Sequence, residues 1–461
     1  MKQITEPAQS LDVVAEGDVV VVGGGPGGIM AALGAARAGV RTILVERYGF
    51  VGGMATAGLM TSINGFRNQR PPNHVQTVRG YAQELIEGLI EVGGADWRTS
   101  YEGAGEPPRK GWLPYSVSID PEGLKRVAME MLCDAGVEVI LHTTFSRPLV
   151  EGRRVVAAAV ENKSGRQAIE GTLFVDATGD GDLCARAGAR FAQAATDDEH
   201  IMAMSLMYRV MGIPAPSEDE RRLYINGLTT FWGSRVGHVD GTSYADLTRA
   251  EILARRELAE QAVALRRAHG PQVTLVDSAT TIGVRETRRI LGLYTITEED
   301  ALSGRPQPDS IAVSSNPVPG YYGQRRFLDH LGFEIPYRSL VPADLDNVLT
   351  AGRCISAEQA PFQSARSMAP NMAYSQAAGT AACPQPIASN IDTIFICMSL
   401  NADFNLRRAE FADDPRPLTL DCECLTCTIY SRAYLRHLLV TRELTVMRAL
   451  TLHNLTYTLG L

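Results

Sequence analysis

The chain of 461 residues lacks the features expected of a membrane-spanning, secreted or bulk nucleic-acid-binding protein. Its longest apolar run near the C-terminus, Ile394 to Leu400, is far too short to cross a bilayer. Met1 to Gly17 contains no basic region followed by an apolar core, so it does not have the pattern of a secretory signal. The formal net charge of -8 argues against bulk binding of nucleic acid and leaves a local site open. We therefore expect a cytoplasmic protein.

Cysteine is sparse over most of the chain and concentrated near its end. Five of the eight cysteines are scattered, whereas Cys422, Cys424 and Cys427 form a cluster. In a chain without an export signal, such a cluster favours metal binding over disulfide bonds. The remaining composition, 45% hydrophobic and 21% charged, is that of a globular protein, and the length suffices for two or three domains.

A glycine-rich loop near the N-terminus lies between two strand-like runs. Asp18 to Val22 is apolar and β-branched, and Gly23-x-Gly25-x-x-Gly28 follows directly. Ile29 to Ala38 has the composition of a helix, and Val40 to Val45 is a second buried strand that ends at Glu46. Strand, glycines, helix, strand and acid in this order predict a Rossmann unit that binds a dinucleotide.

Each position in this unit has a physical role. Gly23 permits the tight turn, Gly25 lets a pyrophosphate approach the backbone, and Gly28 lets the helix pack on the strand. The helix N-terminus offers unpaired N–H groups and the positive end of a dipole to the phosphates. Glu46 would accept hydrogen bonds from ribose hydroxyls and would repel a 2′-phosphate, so the site is not built for NADP.

Further motifs follow the loop and extend as far as Ala382. They are a second glycine pair in Arg47–Thr56, a helix and strand leading to Thr144 and Phe145, the Ala-Thr-Gly-Asp-Gly-Asp run at 177–182, the segment 282–290, and the strand 348–355 with the helix 367–382 after it. In this order they resemble the FAD-dependent oxidoreductase family of glutathione-reductase-like flavoproteins, over residues 17 to 382.

The resemblance implies a flavin enzyme that transfers a hydride between a small organic substrate and FAD. It implies a helix N-terminus near residue 367 that stabilises negative charge on the reduced flavin. No second Gly-x-Gly-x-x-Gly follows a strand, so we expect no dedicated NAD(P)H domain, and the electron acceptor is open. The cofactor-binding residues that it implies, together with those of the loop, are Gly23, Gly25, Pro26, Gly28, Glu46, Arg47, Gly52, Gly53, Ala55, Thr56, Phe145, Thr178, Gly179, Asp180, Gly352, Arg353 and Asn371.

No motif identifies the group that handles a proton beside the flavin. The candidates on the substrate side are Arg285, Arg289, His330 and Arg338. The alternative is that the arginines are ion-paired structural residues and that the lone histidine has a packing or surface role. Cys354 is better explained as a small buried hydrophobe than as a redox group.

These segments predict an α/β chain with a Rossmann-type parallel sheet and an inserted α+β cap. We expect the FAD-binding part at 1–190 and 336–382, and the cap or substrate domain at 191–335, with a long charged helix at 244–269. A linker at 383–403 would then lead to a small zinc-binding segment at 404–461.

The segment 404–461 has the pattern of a different family. Cys-x-Cys-x-x-Cys at 422–427 is followed, twenty-six residues after Cys427, by His453 in Leu-His-Asn-Leu. This pattern is similar to the zinc-binding C-terminal part of tRNA-guanine (queuine) transglycosylases. Three thiolates and one imidazole would make a closed, structural Zn²⁺ site. The alternative is a relic whose cysteines remain thiols.

The transglycosylase resemblance covers only that family's terminal part. Its catalytic (β/α)₈ barrel has no counterpart here, so we expect no base exchange. Binding of tRNA through 404–461 is the alternative function, although this segment has seven Arg, no Lys and six acids. Transglycosylases dimerise through the same region, so a homodimer is a further expectation.

Overall fold

The computed structural model describes residues 2–5, 7–68, 75–96, 113–198, 200–216, 223–319, 325–382, 411–418 and 425–440. The strands in these ranges are β1 (Val13–Val22), β2 (Thr42–Val45), β3 (Ser62–Asn64), β4 (Ala95–Asp96), β5 (Ser116–Ile119), β6 (Glu138–Ile140), β7 (Thr144–Glu151), β8 (Arg154–Asn162), β9 (Gly165–Asp176), β10 (Phe191–Ala192), β11 (Met204–Met211), β12 (Leu223–Ile225), β13 (Leu228–Val236), β14 (Thr274–Ser278), β15 (Arg289–Ile290), β16 (Ser310–Ser314), β17 (Val318–Pro319), β18 (Arg325–Arg326), β19 (Phe333–Pro336) and β20 (Val348–Thr350). The helices are α1 (Pro26–Arg37), α2 (Tyr81–Glu91), α3 (Pro121–Asp134), α4 (Asp182–Arg186), α5 (Tyr244–His269), α6 (Glu298–Ser303), α7 (Gln359–Ala365), α8 (Met368–Ala381), α9 (Leu425–Ile429) and α10 (Arg432–Val440).

The main sheet is parallel at its centre. Its parallel strands lie in the order β6-β2-β1-β9-β20, and β8 and β7 add an antiparallel hairpin beside the first half of β9. The chain winds outward from β1 on one side and from β9 on the other, so the order reverses between these two strands. Ligands of such sheets bind at the carboxyl ends of the strands beside this reversal. The predicted Rossmann-type α/β fold is confirmed.

Several element boundaries differ from the sequence prediction, and two of these differences have identifiable reasons. β1 begins at Val13 instead of Asp18, because its first half pairs with β9 through Gly17↔Gly171 and earlier partners. The strand predicted to lead to Thr144 ends at Ile140, because His142 has a φ of 52°, outside the range of a strand.

Helices α1 and α8 touch through their backbones. A Cβ at Gly379 would lie 1.9 Å from the Ala31 carbonyl oxygen, and one at Gly34 would lie 2.6 Å from that of Gln376. The helices therefore cross at a distance that only glycine permits at these positions. Both helices begin at the carboxyl edge of the main sheet, so their N-termini are brought together there.

A second layer faces that edge. The antiparallel sheet β12-β13-β11-β14 packs against α5, which spans the residues predicted for the long charged helix. The buried Arg209 of β11 pairs with Asp277 in the same sheet and, at 3.4 Å, with Asp120 at the start of α3. The Thr280 amide donates to the Ala57 carbonyl at 2.8 Å. These contacts fix this second layer, the predicted cap, on the part of the chain that contains the main sheet.

No helix among the described residues has both the length and the apolar composition needed to cross a membrane.

We predict that Gly379→Ala separates α1 from α8 and lowers the free energy of unfolding by ~1–3 kcal/mol, the usual cost of overpacking. Gly237→Ala is the matched control, because a Cβ at Gly237 meets nothing within 4 Å. Chemical denaturation of both variants measures the difference. Equal stability of the two variants would contradict the close crossing.

Candidate functional site

The glycine loop after β1 is shaped first by the packing of the protein itself. Gly23 has a φ of 107°, and a Cβ there would lie 2.4 Å from the carbonyl oxygen of Ala177, which follows β9. A Cβ at Gly28 would lie 1.8 Å from the Gly23 carbonyl oxygen. These two glycines are therefore required for the loop to fold at all.

Gly25 differs from both of them. A Cβ at Gly25 would meet only Gly53 Cα, at 4.0 Å, so open space lies in front of the residue. Gly25 is also the N-cap of α1; no side-chain hydrogen bond caps this helix within the described part of the chain, and Pro26 occupies its first position. Unpaired N–H groups at a helix N-terminus beside open space are suited to a phosphate group. The loop thus fits a dinucleotide.

Glu46 is held in place by two backbone donors. The side chain is 6% exposed; its Oε2 accepts from the Gly24 amide at 2.7 Å and its Oε1 from the Tyr48 amide at 3.0 Å. A carboxylate can accept about four hydrogen bonds, so lone pairs remain for ribose hydroxyls. The two amides also orient the carboxylate toward the glycine loop.

The second glycine pair lies over the first loop. Gly52 and Gly53 both have positive φ, and the Gly52 amide donates to the Gly24 carbonyl at 2.7 Å. Thr56 directs its hydroxyl to the Val51 carbonyl at 3.0 Å, and both Thr56 and Ala55 are buried. Arg47 is exposed, with its guanidinium 4.9 Å from the Tyr48 ring. The pair therefore forms a second backbone wall beside Gly25.

The turn after β9 is organised by a buried carboxylate. Asp176 accepts hydrogen bonds from the Thr178 amide (3.1 Å), the Thr178 hydroxyl (2.7 Å) and the Cys184 amide (2.8 Å). Burial raises the pKa of Asp176, against these donors, which lower it. Gly179 has a φ of 82°. Thr178 is therefore committed to the turn and presents its backbone to the site.

Asp180 and Arg353 form an ion pair across the end of the sheet. Asp180 Oδ1 accepts from Arg353 Nη2 at 2.8 Å and from the Thr287 hydroxyl at 2.7 Å. Arg353 follows β20, and Thr287 belongs to the segment that leads from the cap. This contact joins three separate parts of the chain at the predicted flavin edge.

The first turn of α8 meets the first turn of α1 at β20. A Cβ at Gly27 would lie 2.8 Å from Asn371 Oδ1 and 2.9 Å from Gly352 Cα. Gly352 has a φ of 79°, and Asn371 is buried. No side-chain hydrogen bond among the described residues caps α8. Two uncapped helix N-termini thus share one edge of the sheet.

The described contacts of Phe145 are with β8 and α4 instead of with the two helix N-termini. Phe145 is on β7 opposite Val160, and the Arg186 guanidinium lies 5.7 Å from its ring. The neighbouring Thr143 donates its amide to the Glu46 carbonyl at 3.0 Å. The structure therefore ties the end of β6 to Glu46 through Thr143 and places Phe145 on the hairpin.

The two buried cysteines near the site are poor nucleophiles. Cys184 and Cys354 are both fully buried, and burial raises the pKa of each thiol well above its usual value. A thiol that stays protonated neither attacks nor binds metal readily. This agrees with the interpretation of Cys354 as a small buried hydrophobe.

Two of the four catalytic candidates lie together and two do not. Arg285 directly precedes Glu286 on the segment before β15, and Arg289 begins β15 and donates to Glu286 at 2.9 Å. Arg338 makes two hydrogen bonds to Asp309, each 3.0 Å long, and its charge is thereby neutralised. The His330 Nδ1 lies 2.9 Å from the Gly332 carbonyl oxygen. The contacts of Arg338 and His330 are those of structural residues.

Sequence reasoning missed Arg366, Gln363 and Glu286. Gln363 Nε2 donates to Glu286 Oε2 at 2.9 Å and to the His200 carbonyl at 3.1 Å. Arg366 directs Nη2 to the Met202 sulfur at 2.9 Å. For Gln363 and Arg366 the only sequence signal was a polar run just before the helix predicted at 367–382, and Glu286 lies in the motif 282–290; neither signal indicated the partners.

Comparison with known families now decides the assignment. The family described as FAD dependent oxidoreductase matches residues 18–230 and 217–386 of the chain. The chain belongs to the FAD dependent oxidoreductase family. The predicted membership and its cofactor class are confirmed, and this family match spans the main sheet, the cap and α8.

The end of the chain matches a second family. The Queuine tRNA-ribosyltransferase family matches residues 379–461, as the predicted fusion requires. The Queuine tRNA-ribosyltransferase of Syntrophobacter fumaroxidans (strain DSM 10017 / MPOB) is 48% identical over 63 residues, which are 14% of this chain and 17% of that protein. The one from Nitratidesulfovibrio vulgaris (strain DP4) is 53% identical over 57 residues, 12% and 15% of the two chains. The chain thus spans about a sixth of these relatives.

Solved flavoprotein structures show distant likeness. A flavin-dependent brominase superposes with a TM-score of 0.47 and 12% identity, covering 82% of this chain and 83% of the other. A geranylgeranyl bacteriochlorophyll reductase-like protein from Thermoplasma acidophilum gives a TM-score of 0.42 and 12% identity, with coverage of 82% and 81%.

Of the four predicted zinc ligands, Cys427 lies in α9. Cys422, Cys424 and His453 lie outside the described residues.

We predict that Gly25→Ala leaves the fold intact and weakens FAD binding at least tenfold, because the new methyl group would enter only the open space in front of α1. Tenfold corresponds to ~1.4 kcal/mol. Flavin titration of the apoprotein measures the affinity, and thermal unfolding of the apoprotein measures the fold. Gly28→Ala is the contrasting variant, expected to unfold because of its clash with Gly23. Unchanged affinity in Gly25→Ala would show that this space does not receive the cofactor.

Proposed function

We propose that this enzyme transfers a hydride between a small organic substrate and bound FAD. The observation that carries the proposal is the open space before Gly25, at the uncapped N-terminus of α1 and beside the reversal of strand order. Membership of the FAD dependent oxidoreductase family supports the cofactor.

Different residues at the carboxyl edge of the sheet would bind different parts of the cofactor. In this proposal Gly25 and the first turn of α1 hold the pyrophosphate, and Glu46 accepts from the adenosine ribose. The loop of Gly52 and Gly53 would close over the same group. The first turn of α8 would face the flavin, where its positive end stabilises added negative charge. Bound FAD supplies the hydride chemistry that amino-acid side chains lack.

The cap supplies the opposite wall of the site. Its inner face presents Trp232 of β13, with the Arg285 guanidinium 5.5 Å from the ring. The contact of Ala57 with Thr280 holds this wall against the loop that follows Gly53. The role of the wall is to orient the substrate and to exclude water from it.

We predict that the purified chain carries about one FAD and that a suitable substrate bleaches its visible bands without oxygen. Absorbance spectra during anaerobic titration with small hydroxy, amino and carboxylic compounds measure the reduction. Protein without flavin that takes up none from added FAD would overturn the proposal. Reduction only by dithionite would indicate a flavoprotein whose substrate lies outside the set tested.

A structural zinc site is our proposal for the C-terminal segment. The donor set of Cys422, Cys424, Cys427 and His453 is typical of closed tetrahedral zinc centres. The match of residues 379–461 to the Queuine tRNA-ribosyltransferase family favours it. The same match makes tRNA binding the second candidate function. Filter binding at physiological salt tests it, and retention of tRNA no better than of an unrelated RNA of equal length would argue against it.

We predict one zinc per chain, lost in Cys422→Ser and Cys424→Ser, because thiolate ligands contribute most of the binding energy at such sites. Elemental analysis of the full-length protein measures the metal. Cys133→Ser is the matched control, since Cys133 is an exposed thiol on α3. Equal zinc content in all three variants would contradict the assignment.

A further inference from the structure

The segment 282–290, which follows the cap sheet, contains more positively than negatively charged residues. Glu286 is buried, and both of its oxygens are engaged. Oε1 accepts from Arg289 Nη1 at 2.9 Å and Oε2 from Gln363 Nε2 at 2.9 Å. The carboxylate is therefore hydrogen-bonded to Arg289 and Gln363, and it acts on Arg366 only through space, without a direct ion pair.

Two nearby guanidinium groups lack such a partner. Among the described residues, no carboxylate pairs with Arg285 or with Arg366. Arg285 donates from Nη2 to the Ser205 hydroxyl at 2.7 Å, and Arg366 directs Nη2 to the Met202 sulfur. A thioether is a weak acceptor. The Arg366 Nε is buried with no hydrogen-bond partner in the described structure.

The two groups lie close to each other. Met202 and Ser205, which they contact, are three residues apart, so the Cα atoms of these two residues lie within ~11 Å, and the charge of Arg285 acts on Arg366. Burial, and next the charge of Arg285, lower the pKa of Arg366 to about 9. Burial, and next the charge of Arg235, lower the pKa of Arg285 to about 10. Both groups therefore stay charged at neutral pH, and burying such charges without a counterion is costly.

The pair lies between the cap and the cofactor edge. Arg366 lies two residues before α8, whose first turn contacts Gly27 and Gly352. Arg285 comes from the cap side, beside Trp232. Arg235, exposed on β13, is directly opposite Ser205 in the sheet and adds a third positive charge at the approach. A ligand held by this pair would thus lie against the flavin end of the site.

We infer that Arg285 and Arg366 together bind the carboxylate of a small organic substrate and hold its carbon skeleton toward the flavin. This rests on the proposed function. Guanidinium forks match a carboxylate in geometry and charge. The indole of Trp232 and the thioether of Met202 offer apolar surface to the carbon body, which inorganic phosphate lacks.

The test uses the FAD-loaded full-length protein and sodium benzoate as the probe. Benzamide is its uncharged counterpart, and inorganic phosphate is the anion without an apolar body, all at constant ionic strength. We expect benzoate to perturb the flavin spectrum and to raise Tm, and to bind at least tenfold more tightly than benzamide or phosphate. Equal binding of benzoate and benzamide by the unaltered protein would overturn the inference without any variant.

The variants locate the site. Arg285→Gln and Arg366→Gln should each weaken benzoate binding at least tenfold with FAD content unchanged, and Arg285→Lys should restore part of the affinity. Arg256→Gln on the exposed face of α5 removes one charge away from the pair and should have no effect. Loss of FAD in the glutamine variants would assign the arginines to the cofactor instead. Protein that binds no flavin would contradict the proposed function. Flavin-loaded protein that does not bind benzoate would contradict only this inference.

Discussion

At Gly23, Gly28 and Gly379, backbone atoms of neighbouring residues occupy the space that a side chain would need. Gly23 and Gly28 close the loop between β1 and α1, and Gly379 lets α8 lie directly on α1. Because both helices are fixed in this way, their N-termini lie at the same edge of the sheet. The proposed cofactor site is therefore shaped by backbone packing more than by any polar side chain.

The polar residues around this edge are largely committed to holding it. Asp176 organises the turn after β9, Asp180 pairs with Arg353, and Glu46 is fixed by two amides. Satisfied groups of this kind stabilise a unique arrangement but offer little chemistry. Arg285 and Arg366 are exceptions, since their charges are unmatched by any described carboxylate. This difference separates the residues that hold the structure from the two that we propose bind a substrate.

Two families match this chain, and their matches cover very different shares of it. The flavoprotein family covers the main sheet, the cap and α8, whereas the transglycosylase match starts at residue 379, near the end of α8. The transglycosylase match is limited to a C-terminal element of about a sixth of its relatives' length. The zinc and tRNA proposals concern that element alone.

The sequence by itself determined the Rossmann unit, the flavin motifs and the second family at the C-terminus. Local order was sufficient for these, because glycines, strand, helix and acid act within about thirty residues of each other. The tertiary structure added the geometry behind the roles predicted for the three glycines, because Gly25 faces open space whereas Gly23 and Gly28 face protein. Only it showed that Arg338 is neutralised by Asp309, whereas Arg366, absent from the sequence candidates, is not. Charge balance in a buried cluster depends on partners from distant segments, such as Glu286 with Gln363, and sequence spacing does not reveal which of them meet.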